Sequence, residues 1–179
     1  AKHMSIKDDR VEFEYEGKSH QQQFRTVTDE QVREVLIALE NMSGYELFDI
    51  TLPDKSRKKI TAQDLNHYIS EVMGEDFSAK DFRTWAGTVL MAVALDKLGP
   101  AENEKLSKSN IVEAVKNVAD RLGNTPAVCR SNYIHPQVIL QYESGRTLDY
   151  FRRQFKRHRG KYLSLDEKAT MKLLTVLIK

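Results

Sequence analysis

The chain has 179 residues, of which 40% are hydrophobic and 30% are charged. This composition excludes an intrinsically disordered protein, and the length suits one ordinary domain or two small ones. No run approaches the roughly 18 apolar residues of a membrane-spanning helix, and the first residues lack the apolar core of a secretory signal. Residues 1–4 are typical of an expression scar, so we expect the natural sequence to resume near Ser5.

The net charge of +2 is unevenly distributed along the chain. Residues 130–179 contain 11 basic and 4 acidic residues, a net charge of +7, which leaves −5 for the rest. A basic C-terminal third suits a polyanionic partner such as nucleic acid, and a solvated helical surface explains it equally well. Cys129 is the only cysteine, which excludes an intrachain disulfide and suits a reducing cytoplasm.

The first predicted element is a β-hairpin over about residues 11–27. Residues 11–15 alternate apolar and polar side chains, which is the period of a strand with one buried face. Gly17 can adopt the positive φ of a tight turn, and residues 20–27 can return as the second strand. We therefore expect Lys18 at or beside the tip of this hairpin.

Helices are predicted for almost all of the remaining chain. Four helix starts are indicated by Ser or Thr followed three residues later by an acidic or amide side chain: Thr28 with Gln31, Thr61 with Asp64, Ser78 with Asp81, and Ser164 with Glu167. The helix from Ser78 should end at Gly99, and a flexible polar connection should follow it. A fourth helix is expected from near Ser109 to Gly123.

The C-terminal part is predicted to continue as short helices. Thr125 and Pro126 indicate the start of a helix that leads to Tyr133, and Pro136 begins another that ends near Gly145. A basic helix is expected over about residues 147–158. The expected fold class is mainly α (α+β), with one domain over residues 5–179, a hairpin at its start and a helical body over residues 28–179.

Two segments place polar groups near helix N-termini, where backbone N–H groups already favour anions. The first reads Lys80-Asp81-Phe82-Arg83-Thr84, and Arg83 offers a planar fork suited to phosphate oxygens. The second reads Gly123-Asn124-Thr125-Pro126, and Tyr133 follows nine residues after Asn124. Periodicity alone leads no further than an anion site near a tyrosine.

Together these ordered motifs resemble type IB DNA topoisomerases, above all the compact bacterial and poxvirus-like kind, over about residues 11–142. The resemblance implies the helical catalytic fold that type IB topoisomerases share with tyrosine recombinases. It implies an enzyme that relaxes supercoiled double-stranded DNA by cutting one strand through a 3′-phosphotyrosyl intermediate and then resealing it. It also implies a monomer that needs no metal and no nucleotide, located in the cytoplasm with the nucleoid.

The resemblance assigns a role to each matching residue. Tyr133 matches the nucleophile, and Arg83 matches an arginine that binds the scissile phosphate. Asn124 stands where many relatives carry histidine and would donate to a non-bridging phosphate oxygen. Lys18 matches the general acid that protonates the leaving 5′ oxygen. Further DNA contacts are expected from Lys80 and Arg130.

Two parts of the family pattern have no counterpart in this sequence. A second active-site arginine is expected upstream of the hairpin, but Arg10 is the only arginine there and its context does not match. The small N-terminal β-rich domain is also absent. We therefore expect a fragment of a larger enzyme that is inactive or only weakly active in plasmid relaxation by itself.

Two other functions fit part of the pattern. Tyrosine recombinases share the fold and chemistry, but they usually carry His-x-x-Arg and Leu-Gly-His where this chain reads Lys80-x-x-Arg83 and Leu122-Gly123-Asn124. A non-catalytic helical DNA-binding module explains the basic C-terminal third but not the catalytic motifs. The run over residues 152–159 fits either a track for DNA phosphates or a solvated helix face.

Overall fold

The computed structural model describes residues 2–17, 22–41, 47–155 and 162–176. It divides into two compact units, Ala1–Phe77 and Ser78–Lys179. The mainly helical architecture with a small N-terminal sheet confirms the predicted fold class. None of the helices in the described part of the chain is both long and apolar enough to cross a membrane.

The first unit begins with a three-stranded antiparallel sheet in the order β1 (Met4–Ile6), β2 (Val11–Glu16) and β3 (Gln22–Val27). Strands β2 and β3 form the predicted hairpin, with Val11 paired to Val27 and Glu16 to Gln22. Strand β1 was not predicted, and it begins at Met4, which pairs with Phe13. Residue 4 is therefore part of the sheet, although the sequence suggested setting it aside.

Two helices and a second hairpin complete the first unit: α1 (Glu30–Asn41), β4 (Asp49–Thr51), β5 (Arg57–Lys59) and α2 (Ala62–Met73). The cap of α1 falls one residue later than predicted, because the Asp29 side chain accepts from the backbone N–H of Val32. The predicted capping of α2 by Thr61 and Asp64 is confirmed. Only a turn was expected where β4 and β5 lie, since these strands are short and mostly polar.

The second unit is helical: α3 (Ala79–Leu98), α4 (Glu104–Leu122), α5 (Pro126–Asn132), α6 (Pro136–Glu143), α7 (Leu148–Arg152) and α8 (Leu165–Thr175). Its core is formed by apolar side chains from all six helices, among them the buried Met91, Leu95, Val118, Cys129, Val138, Phe151 and Leu173. The side chains of Gln137 and Gln141 in α6 both donate to the backbone carbonyl of Val176, which joins α6 to the end of α8.

Helix α4 begins five residues earlier than predicted, so the expected flexible connection before Ser109 is wrong. The Asn103 side chain caps the helix by accepting from Leu106 N–H. A salt bridge between Glu104 and Lys108 crosses the first turn. The polar start of α4 is helical because Asn110 is buried and donates to the Tyr142 hydroxyl, which a sequence pattern does not show.

The predicted basic helix over residues 147–158 is also wrong in length, since α7 ends at Arg152. Residues 154 and 155 close tighter turns, with their N–H groups bonded to carbonyls three residues back. Arg152 does not lie on a solvated face, because it binds both Asp96 of α3 and Asp166 of α8. Residues 156–161 of the basic run lie outside the described residues.

Candidate active site

The N-terminus of α3 is fixed by a capping box. The Asp81 carboxylate accepts from both the backbone N–H and the hydroxyl of Ser78, at 2.9 and 2.8 Å. These hydrogen bonds from Ser78 hold the pKa of Asp81 below its usual range. With its first turn secured, α3 presents Lys80 and Arg83 on an exposed face, one turn apart.

The junction between α4 and α5 supplies the second part of the site. Gly123 ends α4 in the left-handed conformation, with φ 67° and ψ 43°, where glycine has no steric penalty. The N–H of Asn124 then bonds back to the Ala119 carbonyl at 3.0 Å. Thr125 caps α5, with Pro126 as its first residue, as predicted. This sharp reversal brings Asn124 and the last carbonyl of α4 beside α3.

Arg83, Asn124 and Tyr133 come together in the second unit. Arg83 Nη2 donates to the Leu122 carbonyl oxygen at 2.8 Å, and Asn124 Nδ2 donates to the same oxygen at 3.3 Å. The Arg83 guanidinium also lies over the Tyr133 ring, with Cζ 5.2 Å from the ring centroid. Arg83 therefore joins two side chains from other elements, Asn124 and Tyr133, into one cluster.

The shared contact to Leu122 leaves both side chains able to bind a further acceptor. A guanidinium carries five N–H donors and a carboxamide carries two. Only one donor of Arg83 and one of Asn124 is used by the Leu122 oxygen. The carbonyl therefore orients the two side chains while their remaining donors can bind an oxyanion such as a phosphate.

Tyr133 lies just beyond the end of α5, and its N–H bonds to the Cys129 carbonyl at 2.9 Å. Its side chain is half-buried. Cys129 is fully buried beneath it, and burial raises the pKa of the thiol although the nearby Arg83 opposes the shift. Cys129 is therefore a packing residue and not a reactive thiol.

The other predicted site residues have different positions. Lys80 and Arg130 are exposed, Lys80 one turn before Arg83 on α3 and Arg130 three residues before Tyr133 on α5. Lys18 is in the connection between β2 and β3 and lies outside the described residues, so its role stays a prediction. Within the described ranges, no three His, Cys, Asp or Glu side chains are arranged to hold a metal ion.

Sequence reasoning missed the backbone groups of the site. The Leu122 carbonyl is one of them, because a main-chain acceptor has no signature in side-chain motifs. Gly87 is another, since it packs directly against the carbonyl group of Tyr133. Its only sequence signal is a glycine inside a helix, which costs roughly 0.5–1 kcal/mol relative to alanine and so calls for a packing reason.

Comparison with known proteins agrees with the resemblance. A sequence model described as eukaryotic DNA topoisomerase I, catalytic core, matches residues 1–161, a range that contains all six predicted site residues. DNA topoisomerase 1B of Acanthamoeba polyphaga mimivirus is 27% identical in the aligned region, which covers 88% of this chain and 52% of that protein. The chain thus spans about half the length of this curated relative, which is viral and not bacterial.

Proposed function

The chain belongs to the family of the eukaryotic DNA topoisomerase I catalytic core, and from this we propose that it carries the strand-cutting site of a type IB topoisomerase acting on double-stranded DNA. One observation carries the proposal to this chain. The side chains of Arg83 and Asn124 donate to a single oxygen atom beside the ring of Tyr133. Such an arrangement of donors suits a phosphate next to a nucleophile.

In the first step, the Tyr133 hydroxyl gives up its proton to solvent, and its oxygen attacks a phosphorus atom of one DNA strand. A bond forms between the tyrosine oxygen and the phosphorus, and the bond to the 5′ oxygen breaks. The strand is left with a 3′-phosphotyrosyl link and a free 5′-hydroxyl, which takes its proton from Lys18. Attack by that hydroxyl reverses the step, and rotation between the two steps releases supercoils.

The proposed roles follow from the charge that develops during attack. Tyrosine has a solution pKa of about 10, so it is a weak nucleophile at neutral pH. Donors that contact the non-bridging oxygens stabilise the extra negative charge in the transition state, and one such donor is worth roughly 10²–10³ in rate. Arg83 supplies a charged donor and Asn124 a neutral one. Because these side chains supply the stabilisation, we propose that neither a metal ion nor a nucleotide is required.

The proposal is tested by detecting a covalent adduct between the chain and DNA. Because we expect the chain to be at most weakly active in plasmid relaxation by itself, the assay detects a single round of cutting and not relaxation. The chain, in molar excess over supercoiled plasmid, is incubated with EDTA and without nucleotide, and the reaction is stopped with detergent. We expect protein attached to the 3′ end of a nicked strand, and none with Tyr133→Phe. That variant keeps the ring beneath Arg83 and removes only the hydroxyl, so DNA binding should persist.

Two outcomes would contradict the proposal. An adduct that survives Tyr133→Phe would assign the nucleophile to another residue. A wild-type chain that binds plasmid but yields no adduct would leave the site without strand-cutting activity. Sedimentation of the chain on a short duplex also tests the proposed monomer, because the recombinase alternative assembles tetramers on paired sites.

A further inference from the structure

The helix that carries Arg83 also contacts the main chain of the tyrosine segment. A Cβ atom at Gly87 would lie 2.5 Å from the Tyr133 carbonyl oxygen and 3.2 Å from its carbonyl carbon. Carbon and carbonyl oxygen do not approach so closely in folded proteins, so only glycine permits this packing. Gly87 lies one turn after Arg83, on the same face of α3.

A second contact lies one residue further along α3. The backbone N–H of His135 donates to the hydroxyl oxygen of Thr88 at 3.2 Å. The Thr88 hydroxyl donates to the Thr84 carbonyl, 2.8 Å away, and its contact with the Tyr133 carbonyl is longer, at 3.5 Å. Thr88 therefore holds this segment as an acceptor, and it is almost fully buried.

The two contacts lie at Tyr133 and two residues after it along the chain. Gly87 meets its carbonyl group, and Thr88 binds the N–H of residue 135, so the main chain is fixed over the residues that include the nucleophile and those just after it. On the other side, the His135 side chain is used to cap α6, where its Nδ1 accepts from Gln137 N–H. His135 is thus engaged by both its backbone and its ring in this arrangement.

We propose that Gly87 and Thr88 are positioning residues, which hold the backbone of Tyr133 against α3 so that one rigid helix places both the nucleophile and Arg83. This inference rests on the proposed strand-cutting function and names which residues set its geometry. Neither residue touches DNA in this account. Reaction rates depend steeply on such placement, since a misplacement of about 1 Å can cost roughly 10²-fold.

The test compares Gly87→Ala, Thr88→Val and Thr88→Ser. Single-turnover adduct formation is measured with excess protein, and the affinity for DNA is measured in a Tyr133→Phe background. We expect Gly87→Ala to slow cleavage about 10²-fold and Thr88→Val about tenfold or more, with the affinity changed less than about threefold. Thr88→Ser keeps the acceptor oxygen and should restore most of the rate.

A control places extra volume on the same helix, two turns further along. Ala94 lines an open groove between α3 and α4, so Ala94→Val adds bulk next to open space and should leave cleavage unchanged. Cleavage by Gly87→Ala and Thr88→Val at the wild-type rate would overturn the proposal. The proposal would also be overturned if Thr88→Ser lowered the cleavage rate as much as Thr88→Val, because the hydroxyl would then be irrelevant.

One measurement is independent of both activity and mutant folding. In the wild-type chain, hydrogen exchange followed by NMR should show the His135 amide protected well beyond an exposed loop amide. Exchange at the rate of an exposed loop amide would show that Thr88 does not hold it, and would overturn its role. If the wild-type chain gives no adduct but this amide is protected, the proposed function fails and the backbone contact stands as structural only.

Discussion

The Arg83 guanidinium lies over the Tyr133 ring, with its Cζ atom 5.2 Å from the ring centroid. A guanidinium over an aromatic face is attracted by the ring electrons, at about 0.5–1 kcal/mol for an exposed pair. The same guanidinium donates to the Leu122 carbonyl, so its plane is held from two directions. The proposed nucleophile and the proposed phosphate-binding arginine are therefore in contact before any DNA is bound.

Arg83→Ala and Arg83→Lys should distinguish the contribution of the positive charge of Arg83 to cleavage from that of its planar guanidinium. We expect Arg83→Ala to lower single-turnover cleavage by about 10²-fold or more, because a charged donor at the phosphate is lost. Arg83→Lys should also lose about tenfold, since an ammonium cannot bind the Leu122 carbonyl and a phosphate with the planar fork of arginine. Arg33→Ala, which removes an arginine paired with Glu30 in the first unit, is the control and should cleave normally.

Asn124→Ala and Asn124→His test the neutral donor. Alanine removes the N–H and should slow cleavage by roughly 10²-fold, whereas histidine can donate through its ring and should retain more of the rate. A charged imidazolium donates more strongly than a neutral ring. The rate of Asn124→His relative to wild type should therefore rise as the pH falls through about 6.5. A ratio that is flat with pH would argue against a donor at this position.

Lys18→Ala tests the proposed general acid. It should slow cleavage of ordinary DNA by about 10²-fold, because the 5′ oxygen then leaves unprotonated. Replacing that bridging oxygen by sulfur, at a position that the wild-type chain cuts, creates a leaving group with a pKa of about 8.5 that needs no proton. The substituted DNA should restore cleavage by Lys18→Ala but not by Gly87→Ala. Failure of this rescue would remove Lys18 from the mechanism.

Asp96→Asn should reduce the stability of the second unit. Burial raises the pKa of Asp96, but hydrogen bonds from Arg152 and from the Asp149 N–H outweigh this and hold the pKa below its usual range. The carboxylate therefore stabilises the fold above the unfolded pKa of about 3.9, and this contribution disappears as the pH falls through the lower folded value. We expect Asp96→Asn to lose about 2 kcal/mol at pH 7 in urea unfolding.

The same measurement near pH 3 should show a smaller difference between Asp96→Asn and wild type. Asp149→Asn is the matched control on α7, because its pairing with Arg153 is exposed and worth well under about 1 kcal/mol. The backbone N–H of Asp149 still reaches Asp96 in this control. An equal loss of stability in both variants would show that the buried position of the Arg152 pair is unimportant.

Local signals in the sequence predicted the elements that depend on local chemistry. The starts of α2, α3, α5 and α8 follow from capping side chains next to the helix, so Thr61, Ser78, Thr125 and Ser164 were identified correctly. The start of α4 was missed because Ser107 and Asn110 are polar in sequence yet buried in the fold. Their burial depends on α6, which no local window contains.

The candidate site was predictable in its side chains but not in its backbone. The resemblance to type IB topoisomerases assigned Arg83, Asn124 and Tyr133 to one site, and the structure brings these three together. No sequence motif indicated that the main-chain carbonyl of Leu122 would orient the side chains of Arg83 and Asn124. Contacts of that kind arise only when α3 packs against the end of α4, so they are a tertiary property.

The left-handed turn at Gly123 ends α4 within the site, and the end of this helix carries a partial charge. A helix of 19 residues carries a partial negative charge, equivalent to roughly half an electron, at its C-terminus, and α4 ends with that pole beside Arg83 and Asn124. An approaching phosphate would be repelled by it if no cation stood between them. Arg83 therefore screens this pole as well as attracting DNA, so an uncharged residue of the same shape would leave the carbonyl end of α4 facing the phosphate and weaken its binding at this position.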